Sequence, residues 1–563
     1  MRADLLLDNF HALAEAPNGM GKLRDVVLDL AMHGRLCPQE IGDEHASFLL
    51  ARVLKTGANS QSEGDIADEA LFDVPNGWVW TSIARLAKVI RGVSYKKHEA
   101  SERPLIGLLP ILRANNINGK INFEDLIYVP QERIDKEQLI QPLDIVIAMS
   151  SGSKNLVGKS AQVKTDFGGS FGAFCGVLRF TSEVDRSFVA QFLNSRIYKD
   201  QILGVAKGIG INNLQKGSIE GVRLPLPPLA EQHRIVAKVD QLMALCDEME
   251  KRQEKKRRVS IQVNESALNK LTTATTPEML SESWERIKAN FDLLYDSSEN
   301  VEKLKQTILQ LAVQGKLVPQ DAKDEPASGL LDKIMAEKQR LITEKKLKPS
   351  EVLPPISPAE VPFELPNGWA WCRLEDLAER VEYGTSEKSS LLRTGVPVVR
   401  MGDIQNGRVL LENLKSVPKS IDDLPRLFLK RNDVLFNRTN SAELVGKTGI
   451  FRGENSRYTF ASYLIRLSFF QPYTSPEYVN ISMNAPYYRK TQIEPELTQQ
   501  CGQANFNGTK LKESLIPLPP LDEQYRIVAK ADRLIIICNG MQSKLHHTGS
   551  AAERLMDAVV AGV

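Results

Sequence analysis

The stretch LPLPPLAEQHRIVAKVDQL (Leu224–Leu242) returns as IPLPPLDEQYRIVAKADRL (Ile516–Leu534). Paired prolines cannot continue a strand's hydrogen-bond ladder, and proline suits the approach to a helix's first turn. Each copy therefore reads as a strand stopped at Pro227-Pro228 or Pro519-Pro520, with a helix starting at Ala230/Glu231 or Asp522/Glu523. Beyond that start, Ile235, Val239, Leu242, Cys246 and Met249 alternate steps of four and three. Ile527, Ala531, Leu534, Cys538 and Met541, followed by Leu545, do the same. This is the a/d spacing of a coiled-coil seam, and its identical register in both copies favours pairing of the two helices with each other.

Outward from this block the chain keeps repeating. KLRDVVLDLAMHGRLCPQ (Lys22–Gln39) matches KLKQTILQLAVQGKLVPQ (Lys303–Gln320), DEHAS (Asp43–Ser47) matches DEPAS (Asp324–Ser328), and VPNGWVW (Val74–Trp80) matches LPNGWAW (Leu365–Trp371). Matched blocks in one order define a tandem duplication of a unit of roughly 280–290 residues. Between the blocks, residues 80–223 and 372–515 share only fragments. These are LVGKS (Leu156–Ser160) with LVGKT (Leu444–Thr448), LRANNI (Leu112–Ile117) with VRMGDI (Val399–Ile404), and QPLDIVIA (Gln141–Ala148) with KRNDVLFN (Lys430–Asn437). Near-equal length implies one fold used twice, and divergence implies two different surfaces.

The inserts carry short β-branched or alternating runs such as DIVIAMS (Asp144–Ser150), DVLFNRT (Asp433–Thr439) and YLIRLSFF (Tyr463–Phe470), punctuated by Gly and Asn, the pattern of strands. Helical stripes at Trp284–Leu294 and Val301–Leu311 precede the second insert, with residues 5–32 as their first-copy counterpart, and the Pro-rich Lys346–Pro366 is an extended connector. The expected fold is α+β: two mixed, strand-rich domains separated by long antiparallel coiled-coil helices. The expected boundaries are an N-terminal helical segment (1–72), a first insert domain (73–229), a central helical spacer (230–320), a helix and Pro-rich linker (321–364), a second insert domain (365–521) and a C-terminal helix (522–563).

Lys+Arg number 72 against 70 Asp+Glu, a net charge of +2, which excludes a histone-like chain or an acidic tail but leaves local basic surfaces open. The cysteines (37, 175, 246, 372, 501 and 538) include no C-x-x-C pair, so neither zinc nor a disulfide framework is expected and a reducing cytosol suits them. MRADLLLDNFHALAEAPNG lacks the apolar stretch of a signal peptide, and LIIIC (Leu534–Cys538) is far shorter than the ~18 residues of a membrane helix. A soluble, cytoplasmic protein is expected.

Signatures of catalysis are missing. A P-loop needs a glycine five positions before the one in GK[ST]; Ser153 and Ser441 stand there, with Gly152 one position off. The two GK[ST] triplets read as tight turns after strands, leaving Lys159 and Lys447 for phosphate contact. There is no N/D-P-P-Y/F motif, the seven histidines have no metal-ligand spacing, and no serine sits in G-x-S-x-G. The chain reads as a binding protein, with no metal or cofactor of its own.

Basic and amide-rich segments of the inserts point to nucleic acid. In the first, Tyr95, Lys96 and Lys97 lie in RGVSYKK (Arg91–Lys97), Arg113, Asn115 and Asn116 in RANN, Lys154 and Asn155 in SSGSKN (Ser150–Asn155), and Asn212 and Asn213 in KGIGINN (Lys207–Asn213). In the second, Thr385, Ser386 and Lys388 lie in YGTSEKSS (Tyr383–Ser390), Arg400 and Asp403 in VRMGD, Asn437, Arg438 and Asn440 in FNRTNS (Phe436–Ser441), and Asn505 and Asn507 in GQANFNGTK (Gly502–Lys510). Arg reads guanine and Asn reads adenine bidentately, while Lys and Ser/Thr hold phosphates. Loops favour the same residue types on conformational grounds alone; the corresponding placement in both copies is what favours binding. KRQEKKRR (Lys251–Arg258) reads as the cationic end of the first seam helix, favoured there by the helix dipole.

PNGW, a variable domain, then PLPPLxEQxRIVAKxDxL running into a helix, all of it twice, resembles the specificity subunit of type I restriction–modification enzymes over essentially the whole chain. The resemblance implies two target recognition domains, each reading one half of a bipartite DNA site, and helices that set the gap and dock two methyltransferase subunits. It also implies that S-adenosylmethionine, ATP and Mg2+ belong to methyltransferase and motor–nuclease partners, and that this chain catalyses nothing alone. Glu231–Gln253, at ~1.5 Å per residue, gives a helix of about 35 Å, close to a ~34–36 Å turn of B-DNA. A subunit of a related methylation-based phage-defence system, a coiled-coil scaffold for protein partners and an autonomous P-loop enzyme remain alternatives. Salt-dependent duplex binding separates DNA reading from the scaffold.

Overall fold

The computed structural model describes residues 10, 13–55, 70–151, 156–206, 213–349, 353–391, 394–500 and 503–561. The chain divides into two compact units, Met1–Lys256 with His547–Val563, and Arg257–His546.

In the first unit the helix Gly19–Met32 buries Leu23, Val26, Val27 and Leu30. It ends in a Schellman turn: Arg35 N donates to Leu30 O (2.9 Å) and Gly34, at φ 64°, donates to Ala31 O, a left-handed position that glycine takes without strain. The insert opens with Val79–Ser82 paired antiparallel to Arg223–Leu226, the strand that stops at the double proline. Between them lies an antiparallel sheet in the order Ala87–Arg91, Cys175–Phe180, Ile145–Ala148, Ser160–Gln162. A second sheet has Leu108–Leu112 at its centre, antiparallel to Ile127–Pro130 and parallel to Ser170–Phe171.

The second unit repeats this plan. Gly315 (φ 66°) ends the helix Ser298–Val313 with the same turn, and Ala370–Arg373 pairs with Leu515–Leu518. Its main sheet runs Ala378–Tyr383, Leu464–Phe469, Val434–Asn437, Thr448–Ile450, then adds Gly407–Val409 and Ile404–Gln405. The architecture is an α+β fold used twice.

The long helices differ from expectation in two ways. The first runs Leu229–Thr273, 45 residues, and the second Leu521–Ala561, 41 residues. At 1.5 Å per residue, 45 residues make about 68 Å, so the match of a 23-residue helix to one DNA turn does not hold. KRQEKKRR consequently lies inside the helix rather than at its end, and no dipole argument applies; Lys, Arg, Glu and Gln are strong helix formers, and nothing in the run breaks the helix.

The seams also have different partners. Ile235, Val239, Leu242, Cys246 and Met249 are buried in one core with Leu23, Val26 and Leu30 of the Gly19–Met32 helix, and Arg24 Nη2 reaches Asp247 at 2.8 Å and Glu250 at 2.7 Å beside them. Ile527, Ala531 and Cys538 are buried, and Leu534 and Met541 half-buried, with Val301, Leu304 and Ile308 of the Ser298–Val313 helix. Each seam thus shares its core with the helix that precedes its own insert and with the far end of the other long helix, Met556 in the first unit and Leu268 and Leu271 in the second, because a heptad stripe fixes only that an apolar partner exists.

Candidate nucleic-acid interface

The repeated blocks meet at the base of each insert around one buried carboxylate. Glu231, 1% exposed, accepts from Gln39 Nε2 (2.8 Å) and Trp78 Nε1 (2.8 Å). Glu523, equally buried, accepts from Gln320 Nε2 (3.1 Å) and Trp369 Nε1 (3.0 Å). The neighbouring Gln232 accepts from Asp185 N and donates to Pro227 O, as Gln524 does with Ser475 N and Pro519 O. Arg234 pairs with Asp43 and Arg526 with Asp324. Burial pushes both glutamates above the ordinary 4.5, and the Gln and Trp donors pull them back. PNGW, L-x-P-Q, DExAS and PLPPLxEQxR are therefore parts of one joint that carries the insert.

On the first insert a cleft of about 820 Å³ gathers Tyr95, Lys97, Arg113 and Asn115 from separate segments, together with Ser150, Ser151 and Phe174. Lys97 and Asn115 are exposed; Arg113 spends one Nη on Asp125 O at 2.6 Å. Lys96 is exposed beside Lys97. Asn213 is exposed and bridges Ser150 through its backbone. Lys159 lies off the cleft and holds Asn118 Oδ1 at 2.8 Å. Lys154, Asn155 and Asn212 lie outside the described residues.

On the second insert the FNRTNS and GQANFNGTK segments come together. The Arg438 guanidinium lies over the Tyr383 ring at 4.9 Å, the Tyr383 hydroxyl accepts from Gly508 N (3.1 Å), and Thr439 Oγ1 donates to Asn505 Oδ1 (2.6 Å). Ser386, Lys388 and Lys447 are exposed. Gly158 (φ 84°) and Gly446 (φ 92°) make the turns expected of the GK[ST] triplets.

Several candidate readers are committed within the fold. Asn116, 2% exposed, accepts from Arg113 N and donates to Asn122 O and Glu124 O. Asp403 does the equivalent for Arg400 N and also holds the Arg400 guanidinium (3.1 Å), tying up both. Asn437, at the end of the strand Val434–Asn437, is 2% exposed, and Thr385, bridged to Ala461, is 3% exposed. Asn440 accepts from Ser441 N, and Asn507 caps the helix Gly508–Glu513 through Thr509 N. Turns and caps select Asn and Asp for the same acceptor atoms that read bases, so each of these positions also has a role within the fold. Missed altogether was an exposed aromatic ring at equivalent turns, Phe174 and Tyr463. Its only sequence signal is the alignment of SFGAFCGVLRF (Ser170–Phe180) with TFASYLIRLSF (Thr459–Phe469).

A duplicated scaffold carrying two unlike polar rims matches one family: the type I restriction modification DNA specificity domain aligns with residues 75–257 and 366–546, and the chain belongs to that family. It is 30% identical to the type I restriction enzyme EcoAI specificity subunit of Escherichia coli, covering 96% of this chain and 94% of that one. The EcoKI specificity subunit of Escherichia coli strain K12 is 29% identical over 87% of this chain and 88% of its own. A chain solved in work on the complex assembly and conformational transition of the type I R-M system has the same fold. Its TM-score is 0.52 at 18% identity, over 87% of this chain and 98% of that chain. Among the described residues no helix is long and apolar enough to cross a membrane, and no group of three His, Cys, Asp or Glu side chains is placed to hold a metal.

Proposed function

We propose that this chain is the sequence reader of a type I restriction–modification complex, each insert reading one half of a bipartite duplex site. The supporting observation is the contrast within the duplication: the joints around Glu231 and Glu523 repeat bond for bond, whereas the insert rims carry different side chains at the same places. Identical mounting with different rims is what two half-sites of unlike sequence require.

In this reading the long helices set the number of unread base pairs and dock two methyltransferase subunits, with motor–nuclease subunits joining them. S-adenosylmethionine, ATP and Mg2+ are bound by those partners, this chain catalyses nothing itself, and the complex works in the cytoplasm. Lys96 and Lys97 contact phosphates, and Arg113 and Asn115 face base edges. The test is duplex binding by the chain assembled with its methyltransferase subunits, titrated across salt. Each of Lys96→Ala and Lys97→Ala reduces the slope of log affinity against log salt by about one and leaves the preferred sequence unchanged. Salt-independent binding contradicts the proposal.

A further inference from the structure

Phe174 is 68% exposed, on a turn held by backbone hydrogen bonds on both sides. Gly172 N donates to Leu112 O, Ala173 N to Val93 O, Cys175 N to Gly172 O, and Met149 N to Phe174 O, at 2.8–2.9 Å. Tyr463, 48% exposed, stands on the same turn of the second unit. There Ala461 N donates to Val399 O, Ser462 N to Thr385 O, Leu464 N to Ala461 O, and Arg438 N to Tyr463 O, at 2.9, 2.8, 2.9 and 3.1 Å. The turn itself has diverged, GAFC against ASYL, yet both copies present an aromatic ring.

A large ring kept in water contributes little to the fold, and a rigid backbone beneath it removes the entropy that binding would otherwise cost. Both features mark a contact surface. Around Phe174 the cleft carries two cations, Lys97 and Arg113, against one carboxylate, Glu102, with the Asn115 amide beside them. A partner must therefore offer anionic groups, hydrogen-bonding edges and one apolar group close together. The major groove of DNA meets all three demands, and the apolar group displayed there is the 5-methyl of thymine.

Resting on the proposed function, we infer that Phe174 is a specificity-determining residue that packs on a thymine methyl in the half-site read by the first unit. Tyr463 occupies the corresponding place for the second half-site, with a hydroxyl at its tip. The ring reads thymine by its methyl, whereas Arg113 and Asn115 read hydrogen-bonding edges.

The test uses the chain assembled with its methyltransferase subunits and duplexes of its mapped site in which each thymine is replaced singly by uracil, which lacks only that methyl. One position in the first half-site loses about fourfold in affinity, the equivalent of one buried methyl group. Phe174→Ala weakens binding to the all-thymine duplex by at least as much, abolishes the uracil effect at that position and leaves the second half-site unchanged. Phe174→Leu keeps part of the effect, which separates lost contact from lost folding. A Phe174→Ala complex that binds like wild type, or binds weakly with the uracil effect intact, overturns the inference, as does a first half-site without thymine. A wild-type complex with no preference for any split site overturns the functional reading as well.

Discussion

Glu231 and Glu523 are buried carboxylates whose surroundings make them mounting points. Each buries a charge and satisfies it with an indole N–H and an amide N–H. Trp78→Phe removes one donor and leaves a carboxylate oxygen buried without a partner, a loss of about 1–3 kcal/mol. Because burial already holds the Glu231 carboxyl above 4.5 and the indole bond opposes that rise, the variant's carboxyl titrates higher still. A carboxyl raised on folding binds its proton more tightly folded than unfolded, so ionisation subtracts stability as pH climbs through that range. The deficit of Trp78→Phe is therefore largest near neutrality and narrows as pH falls toward 4.5, measurable as unfolding midpoints across pH. At this scale the sequence was only partly legible. PNGW and PLPPLxEQ stood out by repetition, but not that Trp78 and Glu231, 153 positions apart, bond each other. Asn115 and Asn116 are adjacent and identical in type; one lines the cleft and the other fastens a loop, which only the backbone path decides.

The helix turns at Gly34 and Gly315 show repetition fixing an element. A Cβ built on Gly34 would stand 2.4 Å from Pro75 Cγ, and one on Gly315 2.4 Å from Pro366 Cγ. Gly34→Ala combines that overlap with a left-handed backbone, costing at least about 1 kcal/mol, seen as a lower denaturation midpoint. Strands and helix starts were legible because prolines and β-branched runs act locally. Helix length was not. Nothing in Lys251–Arg258 stops a helix, and the run's charge suggested a terminus that the 45-residue Leu229–Thr273 helix does not have. Seam partners were illegible for a related reason, since heptad spacing specifies an apolar face but not the helix that covers it. If the long helices set the gap, deleting seven residues within 231–255 changes the number of unread base pairs and leaves both half-sites intact. Methylome sequencing checks this; an unchanged gap with an altered half-site contradicts it.

Across the whole molecule, duplication was readable from the order of the blocks, and the α+β class from their spacing. The proposed reading surface was less so, because the cleft is assembled from segments as far apart as Tyr95 and Phe174. The central claim, that each unit reads its own half-site, is tested most directly by sequencing methylated adenines in cells carrying the cognate methyltransferase subunit. The three cases to compare are this chain, no chain, and a chain whose residues 80–223 come from another family member. The account predicts a split motif that appears only with the chain, and an exchange that rewrites one half while preserving the other. A motif unaffected by the exchange, or altered in both halves at once, would contradict it.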